Sequence, residues 1–259
     1  MGVLDTARRG ARAVRVLAHI GTGFALALGA GAFFAPHRPL VRRASRWWLA
    51  ELTRILRMEV TVVGELPAQP ALFVANHVSW IDIPVLGGIA GVHFLSKAEV
   101  AEWPLIGRLA TAAGTLYIRR GQGQVRQRAR QIAAHIGLGN PVLVFPEGTT
   151  TDGRDVRAFH SPLFTAASDH GHPVQPVAIR YLDENGEPHP RVPFIGDDEF
   201  TAHLWRLLGG DAVQVEVHFL PPLRGDSPQE LAMSAQAAVR RAVTAPSLAA
   251  EPVLEGVAG

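Results

Sequence analysis

Three short stretches carry side chains whose types and spacing could do chemistry. The first, NHVSWIDIP at residues 76–84, follows the apolar run ALFVA and sets His77 ahead of Asp82. Their separation is a rotation of about 500° on an α-helix, so the two cannot share one helical face. They meet only if the backbone turns between them, as in a loop leaving a strand end, where α/β sheets place their chemistry. A histidine titrating near neutrality is the usual general base. A carboxylate on its other ring nitrogen fixes the tautomer and stabilises the imidazolium that forms. The pair suits activation of a hydroxyl nucleophile. The plainer reading is a helix-capping Asp82 and a surface His77.

The second stretch, FPEGTTTDG at residues 145–153, follows PVLV. Glu147 at a strand end could orient a polar substrate. Gly148 allows close backbone approach, and free N–H groups there can bind an anion or an oxyanion. A tight turn alone would also justify the glycine. The third, GTLYIRRG at residues 114–121, runs into Arg119 and Arg120. Paired guanidinium groups clamp phosphate or carboxylate through forked hydrogen bonds, although a basic strand end on the surface looks the same. Lys97, the only lysine of the chain, follows another strand in LSKAEV. Substrate contact and an ordinary surface position both fit it.

The elements that must hold these residues alternate. Apolar runs bounded by glycine or proline predict strands over residues 59–63, 71–75, 93–96, 115–118, 141–145, 173–181 and 212–219. Helical spacing predicts helices over 44–57, 84–90, 100–113, 122–136 and 227–244. Ser227, Pro228 and Glu230 supply the last of these with an N-cap, a first-turn proline and a capping-box glutamate. Residues 183–190, DENGEPHP, read as a turn. Alternating strands and helices argue for a single α/β domain.

The apolar stretch at residues 16–36 is just long enough to cross a bilayer. His19 and several glycines weaken it. Arg8, Arg9, Arg12 and Arg15 precede it, and Arg38, Arg42, Arg43 and Arg46 follow it. Trp47 and Trp48 then sit among arginines, as at a membrane–water interface. A span, a re-entrant helix pair and an in-plane anchor all fit. A signal peptide competes, but AFFAPHRPL lacks a clean small-x-small cleavage site. Residues 1–50 are thus read as a membrane-anchoring helical segment, 51–245 as the catalytic domain and 246–259 as a loose tail.

Composition excludes several classes. The absence of cysteine removes disulfides, thiolate metal sites and cysteine nucleophiles. No G-x-S-x-G elbow accompanies Ser79. His77, Asp82, His160, His170 and His172 complete no metal ligand set. The basic helix at 122–136 lacks interleaved aromatics, which argues against a nucleic-acid partner and for a solvated face or one resting on anionic lipid.

Together the motifs resemble the lysophospholipid acyltransferases of the 1-acylglycerol-3-phosphate acyltransferase type. Asn76, His77 and Asp82 match the family's NHxxxxD. Gly114, Tyr117, Ile118 and Arg120 match GxxFIxR, with tyrosine for phenylalanine. Phe145 to Thr149 match FPEGT, and Val174, Pro176, Val177 and Ile179 match VxPVxI. The resemblance covers residues 59–181. It implies an α/β fold, a mixed-sheet acyltransferase domain flanked by helices, behind an N-terminal membrane-associated helical segment.

It also implies O-acyl transfer with His77 as base and Asp82 as its support. The donor is acyl-CoA or acyl carrier protein, and neither metal nor cofactor is used. The acceptor is a lyso-lipid bound with the help of Arg120, Glu147 and Gly148; Asn76, Thr149 and the lone Lys97 join them as candidate substrate-binding residues. The setting is the cytoplasmic side of the cell inner membrane. The first acceptor it implies is 1-acyl-sn-glycerol-3-phosphate, giving phosphatidic acid. Members with that activity often follow FPEGT with arginine, where this chain has Thr150. FPEGTTTDG and HPVQPVAIRY are also similar to the lyso-ornithine lipid acyltransferase branch, whose acceptor hydroxyl belongs to a 3-hydroxy fatty acid on an amino-acid head group. A non-catalytic membrane-peripheral lipid-binding protein is the alternative of another class.

Overall fold

The computed structural model describes residues 3–36, 38–118 and 125–247. Its strands are β1 Met58–Val63, β2 Leu72–Ala75, β3 His93–Lys97, β4 Leu116–Ile118, β5 Val142–Val144, β6 Val174–Leu182 and β7 Val213–Phe219. Its helices are α1 Val3–Gly29, α2 Pro39–Ile55, α3 Asp82–Ala90, α4 Ile106–Ala112, α5 Val125–Gly137, α6 Thr165–Ser168, α7 Phe200–Leu208 and α8 Pro228–Val243. The strands form one sheet in the order β1-β7-β6-β2-β5-β3-β4.

Only the β6–β7 pair is antiparallel; every other neighbour pair is parallel. The run β6-β2-β5-β3-β4 therefore delivers all its carboxyl ends to one edge. The central strands are buried throughout, which is why they read as unbroken apolar runs rather than alternating ones. One core layer joins Ile55, Leu86, Ile179, Leu207 and Val215 on one face. The other joins Leu72, Val74, Ile132, Phe164 and Val239 beneath α5, α6 and α8.

Two helical expectations change. The helix expected over 100–113 is broken: a 3-10 turn at Ala98–Glu102 precedes α4. Pro104 causes the break, since it has no N–H to donate and drives the residue before it out of the helical region. Trp103 accordingly has ψ 127°. Helix α7 was not expected. Its signal lies in Phe200, His203, Leu204, Leu207 and Leu208, an i, i+3, i+4, i+7, i+8 stripe, and the stripe's inner members are buried. At α8 the Ser227 hydroxyl accepts from the Glu230 N–H at 3.2 Å, the N-cap half of the expected box.

The N-terminal helices pack onto this body. Within α1, Thr6–Gly29 is long and apolar enough to cross a bilayer. Only 22% of its most apolar 18-residue window is buried within the chain, unlike a core helix, and it points to membrane association. His19, expected to weaken a span, instead joins the two helices. Its Nε2 donates to the Trp48 carbonyl at 2.9 Å, Trp48 Nε1 donates to the His19 carbonyl at 2.8 Å, and the rings stack with centroids 4.9 Å apart. Trp48 is thus a packing residue of the hairpin, while Trp47 is 52% exposed. Arg12 ties α1 to the body by donating to the carbonyls of Leu208 and Gly210. Helix α2 lies against α3 at Gly88, where an added Cβ would stand 2.8 Å from the Ala50 backbone.

Candidate active site

The short strand β2 ends at Ala75, and the chain then makes the turn that spacing required. Asn76 is fully buried. Its Oδ1 accepts from the Ile179 N–H and its Nδ2 donates to the Ile179 carbonyl, both at 2.9 Å. The side chain thereby replaces one rung between β2 and β6 and frees the backbone to leave the sheet. Ile81, also fully buried, pins the far side of the loop. Trp80 Nε1 donates to His203 Nδ1 at 3.0 Å, so His203 carries its proton on Nε2 and donates it to the Val192 carbonyl at 3.1 Å. Asp82 opens α3, and its carboxylate folds back over the loop.

That carboxylate is the hub. Asp82 Oδ2 accepts from His77 Nδ1 at 2.6 Å, from the Val78 N–H at 2.8 Å and from the Ser79 N–H at 3.1 Å. Asp82 Oδ1 accepts from the Tyr181 hydroxyl at 2.7 Å. A carboxylate only accepts, so Nδ1 carries the ring proton and Nε2 presents its lone pair. His77 stacks on Phe145, centroids 3.9 Å apart and planes within 11°, which fixes the ring's plane. The His77 side chain is 19% exposed while that of Asp82 is fully buried. Solvent or substrate thus reaches the ring and not its partner.

Glu147 lies beside this loop rather than at its surface. Its Oε1 accepts from the His77 N–H at 2.7 Å and its Oε2 from the Arg157 N–H at 2.8 Å. The carboxylate joins the turn after β2 to the turn after β5. Burial pushes its pKa up, and the two backbone bonds oppose that shift. The next residues close the same seam: the Thr151 N–H donates to the His77 carbonyl at 2.8 Å, and the Thr150 hydroxyl donates to the Phe194 carbonyl. Gly148 turns the chain at φ 70°, a conformation glycine adopts without strain. Gly148 and Thr149 are exposed there.

Along the sheet edge the order is Tyr181, His77, Glu147 and Lys97, from the ends of β6, β2, β5 and β3. Lys97 is exposed and pairs in register with Ile118 of β4. It stands two strands from His77, about 10 Å at normal strand spacing. Arg119 and Arg120 follow Ile118 and lie outside the described residues. Tyr181 was missed by sequence reasoning, although it ends the HPVQPVAIRY stretch. Among the described residues no group of three or more histidine or acidic side chains could hold a metal ion.

Comparison with known proteins agrees with this geometry. A family model described as Acyltransferase matches residues 57–180. A lyso-ornithine lipid O-acyltransferase of Pseudomonas aeruginosa is 51% identical over 207 residues, covering 79% of this chain and 80% of that protein. A 1-acyl-sn-glycerol-3-phosphate acyltransferase of Neisseria gonorrhoeae is 33% identical over 150 residues, 58% of each chain. The crystal structure of the 1-acyl-sn-glycerophosphate acyltransferase PlsC from Thermotoga maritima superposes with a TM-score of 0.61 at 21% identity, over 90% of this chain and 96% of that one, a likeness of fold. With 51% identity across four-fifths of a curated acyltransferase, and the histidine and aspartate of its first motif joined in one hydrogen bond, the chain belongs to the acyltransferase family and is an acyltransferase.

Proposed function

We propose that the protein moves a fatty acyl group from acyl carrier protein or acyl-CoA to the hydroxyl of a lyso-ornithine lipid. The observation that carries the chemistry is the His77–Asp82 bond of 2.6 Å, which engages Nδ1 and leaves Nε2 of a partly exposed ring as the base. Nε2 takes the hydroxyl proton as the oxygen attacks the thioester carbonyl. The new C–O bond forms, the C–S bond breaks, and the imidazolium returns its proton to the leaving thiolate. Asp82 stabilises the transient imidazolium and keeps the ring in its tautomer. No acyl-enzyme intermediate, metal or cofactor enters the scheme.

The remaining residues divide by position. Asn76 and Glu147 hold the two turns that aim His77. Gly148 and Thr149 form the exposed rim; the Gly148 N–H is spent on the Phe145 carbonyl at 3.1 Å, so the Thr149 N–H is the one left to meet the developing oxyanion. Lys97 supplies positive charge at the end of β3 for the acceptor's carboxylate, and the motif's arginine, Arg120, is assigned to the same acceptor by the family resemblance alone. The choice of acceptor rests on the Pseudomonas relative's identity and on Thr150 standing where phosphatidic-acid-making members often carry arginine. The second reading, lysophosphatidic acid, is favoured by the Neisseria relative. The exposed, apolar α1 attaches the protein to the inner membrane with the catalytic domain on the cytoplasmic side, where both donors are made.

The test is acyl transfer by membranes containing the protein. Lyso-ornithine lipid and lysophosphatidic acid are offered side by side with each donor, and His77→Ala serves as control. Transfer to lyso-ornithine lipid that disappears in His77→Ala is expected. A folded His77→Ala protein with near-normal transfer would overturn the mechanism, and preference for lysophosphatidic acid would overturn the acceptor.

A further inference from the structure

Tyr181 reaches the active site from a strand far away in the chain, and its contact is specific. Its hydroxyl donates to Asp82 Oδ1 at 2.7 Å, the oxygen that His77 does not use. The three other bonds to this carboxylate, from His77, Val78 and Ser79, all fall on Oδ2. Among the described residues Tyr181 is therefore the one donor shown on Oδ1, completing a carboxylate whose other oxygen takes three bonds.

The base of Tyr181 is clamped too. The preceding residue, Arg180, points to the other face of β6. It pairs with Glu216 at 3.0 Å and donates to the carbonyls of Ala245 and Pro246. The phenol is buried, and burial with the neighbouring Asp82 charge raises its pKa well above the ordinary value, so it remains a donor.

We propose that Tyr181 is a positioning residue for acyl transfer, setting through Asp82 how His77 is oriented and how strongly its imidazolium is held. A donor on Oδ1 draws electron density from the carboxylate and weakens its grip on the protonated ring. Removing that donor does two things. It leaves Oδ1 unheld while three bonds remain on Oδ2, which loosens the aim of Nε2, and it strengthens the hold on the imidazolium, which keeps the base occupied by a proton at higher pH. The titratable groups facing the ring are Asp82 from α3, Glu147 from the turn after β5 and Tyr181 from β6. His203 on α7 sits behind Trp80, and His160 lies beyond Gly148. Glu147 is spent on two backbone N–H groups, so the Oδ1 bond is the one that Tyr181→Phe alters.

The inference rests on His77 acting as the base, and the experiment separates the two. The full-length protein in membranes is assayed with lyso-ornithine lipid and acyl carrier protein across pH, as wild type, His77→Ala and Tyr181→Phe. Tyr181→Phe is expected to lower kcat about tenfold, with KM for both substrates within about twofold, and to move the acid limb of kcat/KM up by about half a pH unit. Because the chain has 2 tyrosines, a Tyr117→Phe protein grown on 3-fluorotyrosine carries the label at Tyr181 alone. The fluorinated phenol is a stronger donor of the same shape, so the acid limb is expected to move down relative to unlabelled Tyr117→Phe. A purely structural tyrosine would not move the limb in opposite directions. An unmoved limb in both proteins, or a change confined to KM, overturns the role of Tyr181. If Tyr181→Phe does not fold, the fluorinated protein decides by the same criterion. Substantial turnover by His77→Ala overturns the base itself, a different result.

Discussion

The side chain of Asn76 stands in for a rung of the sheet: it bonds both the N–H and the carbonyl of Ile179, at 2.9 Å each. The arrangement lets β2 stop at Ala75 without orphaning the backbone of β6, so the catalytic loop departs directly from a fully buried strand. Asn76→Ala leaves a buried donor and a buried acceptor without partners. Each costs about 1–3 kcal/mol, so a loss of about 2–6 kcal/mol in unfolding free energy is expected. Asn76→Asp keeps the acceptor but sets a buried carboxylate oxygen against the Ile179 carbonyl, and should lose at least as much as Asn76→Ala. Chemical denaturation of the three proteins checks the order, and Asn76→Ala as stable as wild type would refute the rung.

Asp82→Asn probes the tautomer. The amide can turn its oxygen or its NH2 toward His77 Nδ1, but it cannot serve the imidazolium as an anion. A fall in kcat of about 10²–10⁴ is expected, at the scale of lost general-base catalysis. KM should change little, because Asp82 is buried and touches no substrate. Steady-state kinetics on the acyl-transfer assay settles it, and a large rise in KM with kcat preserved would move Asp82 into substrate binding.

Glu147 makes a pH prediction of definite sign. Burial raises its pKa in the folded protein, so the folded state holds this proton more tightly than the unfolded chain does. Its contribution to stability is therefore full below the unfolded-chain value and declines as pH rises through the higher folded value. Glu147→Gln removes the titration and also turns an amide NH2 toward one backbone donor. The mutant should be less stable than wild type throughout, with the gap narrowing from about pH 4 to neutrality. Denaturation midpoints across that range test it, and a gap that widens with pH contradicts the assigned shift.

Acceptor choice is open to a single exchange. Thr150 is half-buried beside the catalytic loop and bonds the Phe194 carbonyl. Thr150→Arg places a guanidinium there, and a new charge-assisted bond to phosphate contributes about 1.5–3 kcal/mol. The ratio of kcat/KM for lysophosphatidic acid over lyso-ornithine lipid should rise at least about tenfold. A ratio unchanged in a folded mutant would show that this position does not read the head group.

How much of this was legible beforehand depended on the range of the interaction. His77, Asp82 and Glu147 stood out because their motifs are local. The buried strands stood out because apolar runs between glycines and prolines are local as well. The partners that give those residues their roles were not legible. Tyr181 lies 99 positions from Asp82, and Glu147 lies 70 from the His77 N–H it accepts. Only the strand order β6-β2-β5 brings them together, and strand order is a tertiary fact. Glu147 shows the consequence. Its type and place suggested substrate contact, whereas both its oxygens are occupied by backbone. The break at Pro104 and the stripe of α7 were written in the sequence, and stricter use of proline and of i, i+3, i+4 spacing would have found both.

The last prediction concerns the joint between α1 and α2. His19 and Trp48 exchange hydrogen bonds with each other's carbonyls and stack face to face, and Gly23 gives the indole its room: an added Cβ would stand 2.8 Å from Trp48 Nε1. A leucine at Gly23 cannot coexist with that indole. Gly23→Leu should therefore expel Trp48 and loosen α1 from α2. Helix propensity alone would favour leucine over glycine by about 0.5–1 kcal/mol, so propensity and packing predict opposite signs. If packing governs, protease cuts between α1 and α2 at least several-fold faster in Gly23→Leu, and Trp48→Ala behaves likewise. The sheet-borne site should keep its chemistry in both, because His77, Asp82 and Tyr181 hang from β2, α3 and β6. Equal protease resistance in wild type and Gly23→Leu would mean that the hairpin is held by its remaining contacts and that the His19–Trp48 pair is incidental to it.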